Sequence, residues 1–464
     1  MRIFDNRVQK IKYKVLRELA RHTWMGEDAF TAFNEIASQV VKKGEPPMRC
    51  CIYKDRAIIA DRMRIGLGNC LEGKSTIQVV TIACDECPTS GHSVTDLCRG
   101  CIAKSCKEHC PADAIFIDEK KKAHIDKEKC IECGKCAESC QYHAITNLRR
   151  PCEHACPAEA ITADEDGAAH IIKEKCIVCG ECMWKCPFGA LQDRSSIVDI
   201  VNELKNAGSS RIFAIIAPAI VTQFHDSSLG QVVTALKNLG FTDVVEVAAG
   251  ADIAAKEDAK ELAEKGFLTS SCCPAFVEYI RTNFPELSDN VSSVPSPMTI
   301  TAKEIKKDYP DSRIIFIGPC ISKKFERNRD DVKDYVDYVM TFEELQAMFD
   351  ARDINLSLLE ETSLQDASPF GRGFSMSGGV TNAVQQAIVE LGLDVEFKPV
   401  VCNGIRECKT ALTKAKFGRL DGNFIEGMAC RGGCIAGNGT LINKGAAAKM
   451  VGEYCSSAEK KTIL

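Results

Sequence analysis

Between Cys84 and Cys186 the chain spaces sixteen cysteines at short repeated intervals, and this spacing limits what it can fold into more than any other feature. They run Cys84-x2-Cys87, Cys98-x2-Cys101-x4-Cys106-x3-Cys110, Cys130-x2-Cys133-x2-Cys136-x3-Cys140, Cys152-x3-Cys156 and Cys176-x2-Cys179-x2-Cys182-x3-Cys186. The start, Met1-Arg-Ile-Phe-Asp-Asn-Arg, lacks the apolar stretch of a signal peptide. The longest apolar run, Ile212 to Val221, is interrupted by Pro218 and is too short to cross a bilayer. A cytoplasmic chain is therefore expected, and there a framework of disulfides is excluded because that compartment keeps thiols reduced. The alternative for clustered thiols is metal ligation.

The cysteine region repeats internally. Four times a Cys-x3-Cys closes on a small apolar step: Cys110-Pro-Ala-Asp-Ala-Ile, Cys140-Gln-Tyr-His-Ala-Ile, Cys156-Pro-Ala-Glu-Ala-Ile and Cys186-Pro-Phe-Gly-Ala-Leu. These motifs resemble bacterial-type ferredoxins, where three close thiolates wrap one 4Fe-4S cube and a fourth reaches across to a second cube. Sixteen thiolates suffice for four cubes at four ligands each. Nested as in larger ferredoxin-like subunits, the sets would be Cys98, Cys101, Cys106 with Cys186; Cys176, Cys179, Cys182 with Cys110; and Cys130, Cys133, Cys136 with Cys156. Cys140 and Cys152 would then join Cys84 and Cys87. Two other readings stay open. Cys84, Cys87, Cys98 and Cys101 have the two-pair spacing of a zinc site, or the 130 and 176 motifs alone form two cubes by exchanging Cys140 and Cys186. Cysteine already supplies the ligand count, so His92, His109, His124, His143, His154 and His170 are read as loop or packing residues.

At 464 residues the chain exceeds a single core, and its texture divides into three parts. Residues 1–83 read as mainly helical, with one amphipathic stretch from Asp28 to Gly44 ended by Pro46 and Pro47 and another from Lys54 to Leu67. Cys50, Cys51 and Cys70 have no metal spacing and are read as buried or incidental thiols. Residues 84–192 form the cluster-binding region, of α+β ferredoxin-like type. From 193 to 464, after a linking helix from Asp193 to Gly208, strand-like runs alternate with helical ones. The runs are Ile212 to Ala217, Asp243 to Val247, Arg313 to Ile317 and Tyr335 to Met340; the helices include Ser228 to Leu239 and Asp252 to Lys265. Such alternation implies α/β architecture with parallel sheets, whose ligands gather beyond the strand ends. A net charge of −5 without a dense basic block excludes a nucleic-acid footprint.

Three further stretches carry cysteines: Thr269-Ser-Ser-Cys272-Cys273-Pro274-Ala275-Phe276, Ile317-Gly318-Pro319-Cys320-Ile-Ser-Lys323-Lys324, and Phe424 to Gly439 with Met428, Cys430 and Cys434. Spacing alone predicts one more 4Fe-4S cube on Cys273, Cys320, Cys430 and Cys434, since folding can gather four thiolates. Together these stretches resemble the three signature segments of FeFe hydrogenases, and the likeness spans roughly residues 130 to 445. The resemblance implies a two-lobed catalytic domain with an H-cluster: the cube bridged, at the position of Cys434, to a two-iron unit with CO, cyanide and a dithiolate amine. It implies that Cys272, a thiol not needed for the cube, passes protons, and that Lys323 hydrogen-bonds a cyanide; its neighbour Lys324 is read as a solvated surface lysine. A thiol beside a metal has a lowered pKa, which suits that task. The resemblance further implies a proton path through Asp258 and Glu261, which share one helical face, with Ser292 between them. Asp258 is shorter than the family's usual glutamate, so an added water is expected.

The chain departs from the family at Gly318, where methionine is usual, at Ala275 and Phe276, at Asn438 within the glycine run, and at Ala219. With the cysteine-rich front end, these changes resemble the group B members. The implied activity is anaerobic, reversible reduction of protons to H2, with electrons relayed from ferredoxin or a similar carrier through two to four accessory cubes. Maturation proteins would insert the two-iron unit. The competing expectations are a non-catalytic iron-sulfur assembly or electron-carrier protein, and an H2 sensor of low turnover.

Overall fold

The computed structural model describes all residues except 1–3, 5, 28–30, 45–47, 69–75, 89, 225 and 442–444. The expected helix start at Asp28 and the Pro46-Pro47 stop lie outside the described residues, as does Cys70. The amphipathic stretch is helical over Phe33–Val40.

The first helix, Arg7–Met25, begins where the Asn6 side chain accepts the Gln9 N–H and ends at Gly26, whose φ of 83° an L side chain resists. Leu16, Leu19 and Ala20 make its buried face. It packs on the helices Ile52–Gly66, Ile197–Lys205 and Phe342–Ala351, so the N-terminal helices lie against the large domain.

That domain has two lobes. Among the described residues the first holds a four-stranded parallel sheet in the order Asp243–Glu246, Ile212–Ile216, Arg313–Gly318, Tyr338–Thr341. The run Ile212-Phe-Ala-Ile-Ile is buried throughout, as a central parallel strand covered on both faces must be. The second holds a parallel sheet of Leu268–Thr269, Phe424–Met428 and Pro399–Asn403. The helix Val247–Lys265 packs on Pro297–Asp308 and Gly379–Leu391. The α/β two-lobed architecture is thus as the sequence implies. The last strand of the first sheet starts later than Tyr335, because residues 332–336 close turns.

The cysteine region consists of two ferredoxin-like modules, one inserted in the other. The inner module pairs Gly91–Val94 with Ile145–Leu148 and Ile115–Ile117 with Ala123–Ile125. The outer module pairs Ile161–Ala163 with Ala169–Ile171, and closes by pairing Ile77–Val79 with Leu191–Asp193. Its first strand therefore precedes Cys84, and the whole inner module sits between Cys87 and Pro151. No helix is long and apolar enough to cross a membrane among the described residues.

Candidate metal centres

Each of the three signature segments leaves the C-terminal end of a parallel strand. Cys272 and Cys273 follow Leu268–Thr269, Cys320 follows Arg313–Gly318, and Cys430 follows Phe424–Met428. Strand carboxyl ends are where an α/β sheet opens a crevice, and the two lobes turn theirs toward each other. There Cys273, Cys320, Cys430 and Cys434 lie within electrostatic reach of one another. The third segment can approach so closely because of its glycines. Gly433 has a φ of 88°, and a Cβ on Gly437 would stand 2.5 Å from the Pro319 carbonyl.

Burial, reinforced by the charge of Cys273, pushes Cys320 up to about 11 and drives Cys430 and Cys434 up as well. Thiols gathered so closely cannot all ionise beside each other unless a cation gathers them, and a coordinating cation deprotonates thiols outright. The donor set therefore fits an iron-sulfur cube and suits nothing in the protein alone.

Beside these cysteines lies a mainly apolar cavity of about 80 Å³, whose wall includes Cys272, Lys323, Phe316, Met298, Met428 and Cys434. Burial, with the nearby Cys273 and Cys434, pushes Cys272 up rather than down, so without metal it stays a thiol. Gly318 has a local reason. A Cβ there would meet the Phe316 ring at 2.5 Å and Ala217 at 3.1 Å, so the ring takes the room that a larger residue at 318 would need. Phe276 lies over Gly427 in the same way and is fully buried.

Lys323 ion-pairs with Glu326 at 2.5 Å, both side chains buried. Burial alone would lower the lysine, and Glu326 overrides it. Sequence reasoning missed Glu326, whose signal was its place one turn after Lys323. Lys324 is not at the surface as expected. It is buried and bonded to Asp193 at 2.6 Å and Glu344 at 2.8 Å, because the short helix Ser322–Glu326 turns it toward the junction with the ferredoxin-like region.

The three residues of the expected proton path are brought together. Ser292 Oγ donates to Asp258 at 2.5 Å and lies 3.1 Å from Glu261. Burial pushes the Asp258 carboxyl up to about 7. Burial also acts to raise Glu261, but the Lys265 ammonium at 2.7 Å and the Ser293 N–H leave it lowered. Asp258 in turn bears on Cys272.

The accessory cysteines group differently from the expected nesting. Cys106 lies by Cys98, Cys101 and Cys140, and Cys136 by Cys130 and Cys110. Cys110, Cys130, Cys133 and Cys136 line one small cavity. Cys182 and Cys179 lie by Cys176 and Cys156, while Cys84, Cys87 and Cys152 all feel Cys186. Each module thus exchanges its fourth cysteines internally. The expected sets joining Cys186 to the 98 motif, Cys110 to the 176 motif and Cys156 to the 130 motif do not form, nor does an exchange between the 130 and 176 motifs. Cys84 and Cys87 belong to the outer module and Cys98 and Cys101 to the inner one, which does not favour the zinc reading. The motif at Cys152 had its first two ligands upstream of the insertion, at Cys84 and Cys87.

The repeated alanine has a role here. Ala114, Ala160 and Ala190 N–H groups donate to the sulfurs of Cys110, Cys156 and Cys186 at 3.2–3.3 Å. To aim it, the preceding residue turns left-handed: Asp113, His143, Glu159 and Gly189 have φ of 46°, 49°, 51° and 61°. Strain repeated at three of these matching positions, with glycine at the fourth, marks a functional loop. Asn438 bonds the Cys179 carbonyl at 2.8 Å and accepts the Trp184 indole N–H at 2.8 Å, tying the third signature to the 176 motif. Of the incidental thiols, Cys50 is exposed and Cys51 half-buried.

Residues 210–438 match the family of the iron-only hydrogenase large subunit, C-terminal domain. Residues 123–146 match a 4Fe-4S binding domain, and 146–197 the LdpA Fe-S cluster-binding domain. Iron hydrogenase 1 of Clostridium pasteurianum is 30% identical over 73% of this chain and 68% of its own length. The periplasmic Fe hydrogenase large subunit of Nitratidesulfovibrio vulgaris is 28% identical over 73% of this chain and 90% of its own. A shorter match, 32% identical over 24% of each chain, is to the cytosolic Fe-S cluster assembly factor NAR1 of Kluyveromyces lactis. A solved FeFe-hydrogenase from Chlamydomonas reinhardtii is 21% identical, with a TM-score of 0.48 over 57% of this chain and 90% of that one. The chain belongs to the iron-only hydrogenase family.

Proposed function

We propose that the protein is an FeFe hydrogenase that catalyses 2H+ + 2e− ⇌ H2 in the cytoplasm, exchanging electrons with ferredoxin or a similar carrier. One observation carries this reading: Cys272 and Lys323 face the same cavity as Cys434, and a plain cube needs neither.

Cys273, Cys320, Cys430 and Cys434 would hold the cube, with Cys434 also meeting the two-iron unit in the cavity. When bound, that unit supplies heterolytic cleavage and formation of H2. Cys272 hands a proton between the cavity and Asp258, and Ser292 passes it to Glu261, whose Lys265 partner is half exposed to water. Lys323, held by Glu326, offers its remaining N–H donors to anionic ligands in the cavity. Phe316, Met298 and Met428 keep the cavity apolar and water out.

Infrared spectroscopy of the protein matured with the two-iron unit tests this. CO and cyanide stretches are expected, and the Cys272→Ala variant should keep them while losing turnover by at least ~10²-fold. The likeness to NAR1 favours a second reading, an assembly factor without the two-iron unit, and it would be upheld by absence of those bands after competent maturation.

A further inference from the structure

The cube site of Cys84, Cys87, Cys152 and Cys186 is wrapped in guanidinium groups. Arg62 donates to the Gly189 carbonyl at 2.5 Å and to Gln192 at 3.1 Å. Arg150 donates to Pro88 at 3.0 Å and to Gly167 at 2.5 Å, and Arg49 to Phe188 at 3.0 Å. Pro88 follows Cys87, and Phe188 and Gly189 lie two and three residues after Cys186, so all three arginines hold the ligand loops of this one site.

Arg62 and Arg150 are 4% and 2% exposed. Arg62 Nε, Arg150 Nη1 and Arg49 Nη1 are buried with no hydrogen-bond partner among the described residues. Arg62 has no carboxylate partner among the described residues, and the other two have only long ion pairs: Glu153 at 4.0 Å from Arg150, and the exposed Asp85 and Glu86 at 3.7 and 3.9 Å from Arg49. The third deeply buried arginine, Arg372, shows the contrast, with Glu246 paired at 2.6 Å. A buried cation lacking its anion costs several kcal/mol. A cube with four thiolate ligands is such an anion, and Cys84, Cys87 and Cys186 already lie in the field of these arginines.

The other accessory sites lack this basket. At the Cys110, Cys130, Cys133 and Cys136 site the near charges are the Glu132 carboxylate and the half-exposed Lys127 ammonium, with no guanidinium among the described residues; at Cys179 the near charge is Glu181. Reduction adds one electron and no bond or proton, so nearby cations favour the reduced form and carboxylates oppose it.

We propose that the cube on Cys84, Cys87, Cys152 and Cys186 has the highest reduction potential of the accessory clusters, set by Arg62, Arg150 and Arg49, and stores one electron between the inner module and the catalytic lobe. The electron comes from the catalytic cube or from a one-electron carrier. The inner module enters and leaves the chain at Cys87 and Pro151, on this cube's own ligand loops. The proposal rests on the cluster reading above but not on H2 chemistry.

The test is a potentiometric titration, followed by electron paramagnetic resonance, of the full chain reconstituted with iron and sulfide. Cys87→Ser should shift or abolish the wave reduced first. Arg62→Gln and Arg150→Gln should move that wave alone to lower potential, and Arg62→Lys and Arg150→Lys should move it less. An unchanged first wave in Cys87→Ser, unmoved midpoints in both Gln variants, or equal shifts for Lys and Gln would each overturn the assignment. Should the Gln variants fail to fold, Cys87→Ser still decides which cube is reduced first. An iron content short of four accessory cubes would instead sink the cluster reading beneath it.

Discussion

At the scale of single residues, the chemistry of the proposed site is carried by Cys272 and Lys323, next to cluster cysteines, and by Asp258, Glu261 and Ser292, which only folding brings near them. Cys272 and Lys323 were legible at fixed offsets in the cysteine motifs, whereas Asp258, Glu261 and Ser292 were legible only through the family resemblance. What local motifs do not encode is which way a short helix faces, and that is why Lys324 was taken for a surface residue. Replacing it by Met should cost about 3–5 kcal/mol, because Glu344 would stay buried without its cation while Asp193 keeps only Lys12; denaturant unfolding followed by cluster absorbance measures this. Asp258 gives a pH prediction. Its folded pKa of about 7 lies above the ordinary value of 3.8, so the folded chain keeps a proton that the unfolded chain gives up. That carboxyl stabilises the fold fully below pH ~4, and the contribution is lost as pH rises through about 7. Asp258→Asn should flatten stability over that window and lower turnover by roughly 10²-fold or more, leaving the infrared bands unchanged.

At the scale of elements, the sequence revealed the repeated Cys-x3-Cys loops but not their partners. Nesting the motifs as in larger ferredoxin-like subunits joins the 98 motif to the 176 motif, and the insertion after Cys87, which sets them in different modules, breaks that scheme. Its one trace was the motif at Cys152, which lacked a Cys-x2-Cys of its own. The short second sheet also went unread, because Leu268–Thr269 and Pro399–Asn403 have too little apolar sequence to stand out. Iron analysis checks the pairing. Cys87→Ser and Cys186→Ser, singly or together, should each remove about four irons, since both strike one cube, whereas Cys87→Ser with Cys140→Ser should remove about eight. Asn438→Gly removes the side-chain bond to the Cys179 carbonyl while the Trp184 indole keeps its backbone acceptor, and should cost about 1 kcal/mol as well as slow electron exchange with an added carrier.

At the scale of the whole molecule, the parts lie along one route: the inner module, the arginine-wrapped cube, the site of the 176 motif, and Cys430, which lies in the field of Cys179. Loaded with five cubes and no two-iron unit, the chain should contain about twenty irons, a count that colorimetric analysis reads directly. The order of these stations also sets an order of birth. Ile77–Val79 leaves the ribosome long before its partner Leu191–Asp193, so the inner module can fold and fill with iron while the outer one is still open. Closing a long loop is slow, and the outer thiols must wait for it. The cube nearest the arginines is therefore the last of the accessory set to be sealed, and a nascent chain starved of iron would stall with that strand edge bare.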